Sequence, residues 1–200
     1  MALTIKPVEA HDIELLTQLG RATFIESYAH LDDPVYFQKH LDRNHTVEVI
    51  EKEFYSERNH FFIARMNNQA VGFCKLVSDE NEQHPDLKDA RCIELERMYV
   101  LKKFQGLHVG HALLGESLNF ASQNDFDTIW LGVSQENGRA IKIYEQWGFV
   151  YFDTHLFDLG GCMQTDLMMK RPVVLPRSFS PSKDIGDLLD VPTPRLNNTI

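Results

Sequence analysis

Cysteine is scarce in this sequence, which holds three in 200 residues, at Cys74, Cys92 and Cys162. An odd number at wide spacing fits neither a disulfide framework nor a CxxC metal site, so reduced thiols are the simpler interpretation. The nine histidines are scattered without the HExxH spacing of a zinc enzyme. We therefore expect neither disulfide bonds nor a bound metal.

Long apolar runs and excess positive charge are also lacking. Residues 1–20 contain acidic side chains and no long apolar stretch, which is not the pattern of a signal peptide or a membrane span. The formal net charge is −9, and such a field repels nucleic acids and anionic membranes. We expect a cytoplasmic protein that binds neither, with a mild preference for cationic small molecules.

The composition that is present fits one globular domain, because 43% of the 200 residues are hydrophobic and can form a sizeable core. Five of the eight prolines follow Lys170. We therefore expect a folded domain over residues 1–170 and a proline-rich tail over residues 171–200 that is extended or partly disordered.

Hydrophobic periodicity predicts alternating strands and helices. The predicted strands are 3–8, 60–66, 70–78, 91–100, 128–133, 149–157 and 165–170, and the predicted helices are 9–19, two or three short ones within 21–55, 110–124 and 140–147. Asn67, Asn68 and Gln69 have the composition of a hairpin turn. The strand, helix and strand after residue 90 predict a parallel crossover, with Asn137 as a helix cap and Gly148 at a left-handed helix end.

The connection from Gln105 to Ala112 joins a predicted strand to a predicted helix and carries Gly106 and Gly110. Backbone N–H groups at a helix start have no helical acceptor, and the helix dipole adds positive potential, so such a turn can hold a diphosphate without lysine. Glycines also occur in such turns for purely steric reasons, and the turn alone leaves both interpretations open.

An ordered set of motifs makes the sequence resemble the GNAT acetyltransferase family. The motifs are Leu95 to Val100, Phe104 to Gly110, Trp130 to Val133, Glu136-Asn137, Ala140-Ile141, Tyr144 and Trp147 to Phe149. Within that family, Gly148 to Val150, His155, Phe157 and Gln164 to Met168 are similar to the PaiA-type polyamine acetyltransferases. The resemblance spans Leu3 to Lys170 and implies an α/β fold whose mixed central sheet of about seven strands has helices on both faces. It also implies acetyl transfer from acetyl-CoA directly to a primary amine.

The resemblance implies a coenzyme site. The residues carried over are Met98, Tyr99 and Val100 along the pantetheine arm, Gln105, Gly106, Leu107, His108, Val109, Gly110 and His111 at the pyrophosphate, and Asn137, Ala140 and Tyr144 on the following helix. One residue departs from the family pattern, because His108 stands where the first glycine belongs. Either Gly106 relocates the flexible point, or the imidazolium adds charge to the site, or His108 simply faces solvent.

Three side chains are candidates for the chemistry. Tyr144 matches the tyrosine that protonates the leaving thiolate in the family. Without the resemblance, the simpler interpretation is a buried aromatic residue on a helix face. Glu94 and Glu96 lie two apart on a strand and are expected on one face, with Arg97 on the opposite face. Either glutamate is a candidate base through water, or both are merely solvated and the amine loses its proton to solvent.

The sequence constrains the identity of the acceptor amine less than that of the cosubstrate. A cleft edged by Glu26, Asp32, Asp33, Glu94 or Glu96 would attract a polyamine such as spermidine or spermine. A protein N-terminus or lysine would suit the same apparatus, and the His108 departure also admits a non-catalytic acyl-CoA-binding regulatory module. A homodimer is a further expectation from the family.

Overall fold

The structure is a computed structural model that describes residues 2–28, 34–79, 84–88, 90–159 and 162–173. The described residues form seven strands, β1 (Leu3–Pro7), β2 (Asn59–Met66), β3 (Gln69–Asp79), β4 (Cys92–Val100), β5 (Thr128–Ser134), β6 (Val150–Leu159) and β7 (Cys162–Pro172). They also form five α-helices, α1 (Ile13–Tyr28), α2 (Pro34–Asn44), α3 (Val47–Phe54), α4 (Val109–Gln123) and α5 (Gly138–Gln146). No helix in this part of the chain is long and apolar enough to cross a membrane.

The strands form one mixed sheet in the order β1-β2-β3-β4-β5-β7-β6. Only β4 and β5 run parallel, and α4 makes the crossover between them. This arrangement confirms the predicted α/β class, the parallel crossover and the count of about seven strands. A parallel pair needs such a crossover because a short hairpin reverses the chain direction.

Helices cover both faces of the sheet, as the resemblance implied. On the face packed against α4 and α5, here called the α4 face, the core includes Leu113 and Leu114 of α4 and Ile93 and Leu131 of the sheet. On the opposite face, here called the α1 face, Leu16 and Leu19 of α1 and Ile50 of α3 pack against β2 and β3. The central strands are therefore covered on both sides.

The β2–β3 hairpin follows its predicted turn. Asn67 and Asn68 both have positive φ, 49° and 67°, which is the conformation of a type I′ turn. Asparagine tolerates this region better than most residues, so the sequence signal was specific.

Several predicted boundaries were wrong, among them the ends of helix α1 and strand β7. Helix α1 continues to Tyr28 instead of ending at Leu19, because Gly20 does not stop it. A Cβ at Gly20 would lie 3.3 Å from His45 Nδ1, so this glycine makes room for a packed ring. Strand β7 runs to Pro172, two residues past its predicted end at Lys170. The rest of the predicted tail, from residue 174, lies outside the described residues, as do Gly160 and Gly161.

Candidate active site

A bulge in β4 opens the centre of the sheet. Against β3, Leu95 pairs with Leu76 and Arg97 pairs with Lys75, which leaves Glu96 as an extra residue in β4. An extra residue bends a strand and increases its twist. It also shifts the alternation of side chains, since Ile93 and Leu95 face the α4 core before the bulge, and Met98 and Val100 do so after it.

The ladder between β4 and β5 ends two residues before the bulge. Their parallel ladder joins three residue pairs and ends where Glu94 pairs with Trp130. Both strands continue, β4 to Val100 and β5 to Ser134. The region between the two strands past this last rung, from Glu94 to Val100, is here called the slot, and the backbone of Met98, Tyr99 and Val100 borders it on the β4 side.

The loop at the end of this slot leads into α4. Gly106 has φ +81° and His108 has φ +61°, so both adopt left-handed backbone conformations. Gly106 therefore does not replace His108 as the flexible point, and the histidine itself takes the conformation, at a cost of about 1 kcal/mol. The first intrahelical bond runs from the Ala112 N–H to the His108 carbonyl at 3.0 Å.

The start of α4 presents backbone donors. The N–H groups of Val109, Gly110 and His111 precede the first bond of the helix, so no helical carbonyl accepts from them. The positive end of the α4 dipole lies at the same place. This geometry suits a diphosphate.

The His111 side chain faces α5. Trp147 Nε1 donates to His111 Nδ1 at 2.8 Å, and the two rings stack at 5.9 Å. An indole N–H can only donate, so Nδ1 must be unprotonated. Burial and the nearby His108 ring lower the pKa of His111, which agrees with a neutral imidazole. The contact joins the first turn of α4 to the end of α5.

Arg139 was missed by the sequence reasoning. Gln105 Nε2 donates to the Val100 carbonyl at 3.1 Å, and Gln105 Oε1 accepts from an Arg139 Nη at 3.1 Å. The guanidinium is thereby held beside the loop, and Lys102 and Lys103 lie on the short 3₁₀ turn (Lys102–Phe104) before it. The sequence did contain a signal for Arg139, namely a positively charged residue two positions after the capping residue Asn137.

Asn137 and Tyr144 lie at the two ends of α5. Asn137 Oδ1 accepts from the Ala140 N–H at 3.1 Å, which confirms the predicted cap. Tyr144 is only 8% exposed and belongs to the core on the α4 face, with its ring 5.6 Å from that of Phe149. Tyr144 is therefore a buried aromatic residue, and its catalytic role stays a prediction.

Glu96 belongs to a charge cluster on the α1 face. Lys75 Nζ lies 2.9 Å from Glu96 Oε2 and 3.3 Å from Glu53 Oε1 of α3, and Arg97 contacts both carboxylates. The prediction that Arg97 lies on the opposite face from Glu96 was wrong, since Arg97 Nε is 3.1 Å from Glu96 Oε1. The bulge is the reason, because it places consecutive residues on one side. Burial disfavours the charge on Arg97, but Glu96 and Glu53 outweigh it and raise the pKa of Arg97.

The other predicted acidic residues are dispersed. Glu94 is half-buried and lies on the last rung between β4 and β5. Glu26 of α1 accepts from the Lys102 N–H at 2.6 Å, which fixes α1 beside the exit of β4. Asp32 and Asp33 lie outside the described residues. Among the residues that are described, no group of three or more His, Cys, Asp or Glu side chains could hold a metal ion.

Known proteins share this sequence and architecture. The model of the Acetyltransferase (GNAT) family matches residues 18–149, more than half of the chain. A relative from Lactobacillus delbrueckii subsp. lactis, named an uncharacterized N-acetyltransferase, is 25% identical over 170 residues, which cover 85% of this chain and 97% of that protein.

Two solved structures share the fold. PaiA N-acetyltransferase from Thermoplasma acidophilum, solved in complex with coenzyme A, aligns with a TM-score of 0.71 and 20% identity over 86% of this chain and 99% of its own. Spermidine N-acetyltransferase from Vibrio cholerae, solved with CoA and spermine, aligns with a TM-score of 0.63 and 21% identity over 86% and 95%.

The split sheet, with a parallel crossover whose helix starts at a glycine-bearing turn, defines an acyl-CoA acyltransferase fold. The chain belongs to the Acetyltransferase (GNAT) family. It is an N-acetyltransferase that depends on acetyl-CoA as cosubstrate.

Proposed function

We propose that this enzyme transfers the acetyl group of acetyl-CoA directly to a primary amine of a small cationic acceptor, with polyamines such as spermidine and spermine as its substrate class. The observation that carries the proposal is the slot between β4 and β5, which ends at the free N–H groups of α4. A narrow slot leading to an anion site matches a ligand with a thin amide arm and a diphosphate.

In the proposed complex, the diphosphate accepts hydrogen bonds from the backbone of residues 105–111, chiefly from Val109, Gly110 and His111. Arg139, held by Gln105, supplies a positive charge beside it. The pantetheine amides pair with the backbone of Met98, Tyr99 and Val100, which lies past the last rung of the ladder to β5 at Glu94. The Asn137 amide and the first turn of α5 at Ala140 border the same arm.

Tyr144 is the proposed acid. It approaches from the α4 face, where burial keeps its phenol away from bulk water. A phenol is protonated at neutral pH, so it can donate to the thiolate as the carbon–sulfur bond breaks. The acceptor amine attacks the thioester carbonyl before that bond breaks and does so from the α1 face, where Glu94 and Glu96 are the proposed acidic side chains nearest the slot.

The polyamine class rests on charge. The chain carries 29 acidic against 20 basic residues, and Glu26, Glu94 and Glu96 lie around the β4 side of the slot. A molecule with several ammonium groups gains from such a field more than a monoamine does. Two solved relatives, a PaiA enzyme and a spermidine acetyltransferase bound to spermine, support the same class.

Binding and acceptor choice are tested separately. Isothermal calorimetry with acetyl-CoA should show one site, and saturating ligand at 100 times its Kd should add about 2.7 kcal/mol to the free energy of unfolding. Thiol release is then followed with spermidine, spermine, propylamine and a peptide with a free N-terminus. Fastest turnover with the polyamines is expected. A preference for the peptide would make the enzyme a protein acetyltransferase, and binding without turnover would make it a regulatory module.

Tyr144→Phe tests the acid. We expect kcat to fall by about 100-fold, the usual size of an acid-catalytic contribution, while the Kd for acetyl-CoA stays within a factor of about three. Tyr151→Phe is the matched control, because Tyr151 on β6 is 58% exposed. An unchanged kcat in Tyr144→Phe would remove the phenol from the mechanism.

A further inference from the structure

His155 of β6 packs on the wall of the slot. A Cβ at Gly132 of β5 would lie 2.8 Å from His155 Cε1 and 3.7 Å from its Nδ1, so only glycine leaves room for the ring. Gly132 faces the α1 face, because its neighbours Leu131 and Val133 belong to the α4 core. It lies two residues beyond Trp130, where the ladder to β4 ends. The imidazole therefore stands beside the opening of the slot on the α1 face.

Asp166 of β7 lies next to this ring. It pairs with His155 on one side and with Ser134 on the other, and its Oδ2 lies 3.5 Å from the same Cβ position at Gly132. Burial raises the pKa of Asp166, while the nearby His155 lowers it, so the two groups interact electrostatically. A carboxylate beside an imidazole orients the ring and stabilises the imidazolium.

The Nδ1 atom of His155 is buried, and within the described part of the chain it has no hydrogen-bond partner. Buried polar atoms nearly always have a partner, so this nitrogen beside the slot is an exception that a small shift of the ring towards a bound amine would satisfy. Glu96, another candidate base, is already held in ion pairs. Glu96 contacts both Lys75 and Arg97, and a proton on Glu96 would weaken both ion pairs.

We propose that His155 is the base that accepts the proton of the acceptor ammonium, and that Asp166 is the residue that positions it. This inference rests on the proposed transfer to an amine. His155 acts from the α1 face and Tyr144 from the α4 face, on opposite sides of the thioester.

The protons balance in this scheme. The ammonium gives one proton to His155, which passes it to solvent, and the neutral nitrogen forms the C–N bond as the C–S bond breaks. The new amide nitrogen loses a second proton, and the thiolate gains one from Tyr144. The proton that the nitrogen loses balances the proton that restores the phenol. One proton is released per turnover.

Several charged groups lie around His155. Asp166 faces it from β7, and Asp153, two residues earlier on β6, is held by His84 at 2.8 Å. Helix α2 packs on β6 and carries further charged and titratable residues, Lys39, His40, Asp42 and Arg43. Asp166 lies beside His155 and interacts with it electrostatically.

The test compares His155→Gln with wild type on two acceptors, spermidine, which is protonated at neutral pH, and methoxyamine, which is not. We expect kcat/KM for spermidine to fall by about 100-fold or more, and kcat/KM for methoxyamine by less than about fivefold, because a neutral nucleophile needs no base. The acidic limb of the wild-type pH profile should disappear. His84→Gln is the matched control, and its profile should keep that limb.

Two further variants separate a base from a structural role. Asp166→Asn should lower kcat/KM by about tenfold and move the acidic limb to lower pH, because the imidazolium loses its carboxylate neighbour. Gly132→Ala keeps the histidine but displaces its ring, and should reproduce the selective loss with spermidine even if His155→Gln folds poorly. Equal losses on both acceptors, or an unchanged acidic limb, would overturn the role of His155. If the wild-type enzyme acetylates neither amine, the proposed function itself fails.

Discussion

His108 holds a backbone conformation that glycine adopts freely, at the residue where the family pattern has glycine. His108→Gly should raise the free energy of unfolding by about 0.5–1 kcal/mol, because it removes the steric cost of φ +61°. Urea unfolding measures this change. The same variant shows what the imidazole does at the loop.

If backbone N–H groups alone hold the diphosphate, the Kd of His108→Gly for acetyl-CoA stays within about threefold of wild type at pH 6 and pH 8. A Kd that weakens at pH 6 but not at pH 8 would show instead that the imidazolium adds a charge contact. Leu107→Gly is the matched control, since this exposed neighbour changes to glycine without a positive φ to relieve.

His45 titrates far below its ordinary range. The ring is 3% exposed, lies against Phe24, and has an Nδ1 atom without a partner among the described residues. Burial, with Arg97, His40 and Arg21 adding repulsion, lowers its pKa from 6.5 to about 3. Between these values the unfolded chain binds a proton that the folded protein does not, so stability falls as the pH falls from about 6.5 towards 3.

His45→Phe should remove this loss of stability at low pH. Between pH 6 and pH 4 the free energy of unfolding of the wild type should fall more steeply than that of the variant, by about 1.4 kcal/mol per pH unit for one proton. Urea titrations at a series of pH values give both slopes. His11→Phe, at a side chain that is 74% exposed, should keep the wild-type slope. Parallel curves for wild type and His45→Phe would mean that His45 is charged in the folded protein.

At the scale of elements, four charged side chains join α3 to the bulge in β4. The side chain of Lys75 is 4% exposed and those of Glu53, Glu96 and Arg97 are 17–30% exposed, so the cluster is largely removed from water. Its two positive and two negative charges balance. Removing one partner leaves an uncompensated charge in a place that water cannot easily reach.

Lys75→Met should therefore destabilise the protein by about 3 kcal/mol and lower activity, because Glu53 and Glu96 would repel each other across the bulge. Lys170→Met is the matched control, since Lys170 pairs at 3.5 Å with an Asp86 side chain that is 50% exposed, and should cost about 1 kcal/mol or less. Denaturant unfolding compares the two variants. A cost for Lys75→Met no larger than that of the control would show that the cluster is solvated.

The sequence predicted the strands and helices well because periodicity is a local property. The bulge at Glu96 is different, since an extra residue exists only relative to the pairing of β4 with β3. No pattern within β4 distinguishes it, and for this reason Arg97 was expected on the wrong face. The end of α1 was predicted wrongly for a related reason. Gly20 accommodates the ring of His45, which is 25 residues away along the chain.

At the scale of the whole molecule, the order of motifs along the chain predicted the family, the cosubstrate and the parallel crossover. The insertion of β7 between β5 and β6 was not predicted, because it depends on long-range pairing. That insertion brings Asp166 and His155 into one row with Ser134. The loop residues 105–111 could be proposed from the sequence because they are contiguous, whereas the proposed base comes from strands that only the sheet order brings together.

The net charge of −9 is a property of the whole molecule that bears on both substrates. Acetyl-CoA is an anion and, in the proposed complex, lies near the cations Lys102, Lys103 and Arg139, whereas the overall negative field would attract a polyamine. Salt screens such attraction over about 10 Å at 0.1 M ionic strength. With acetyl-CoA held saturating at every salt concentration, its own salt dependence does not enter the measurement.

Between 20 mM and 500 mM NaCl, kcat/KM should fall by about tenfold for spermidine and by about twofold for propylamine, because the attraction scales with the charge of the acceptor. The fall should appear in KM, with kcat nearly constant, since screening changes the encounter and not the chemistry. Neutral sucrose at matched viscosity controls for slower diffusion. Equal salt dependence for the two amines would show that the acidic field does not select the acceptor, and the polyamine class would then lose its electrostatic support.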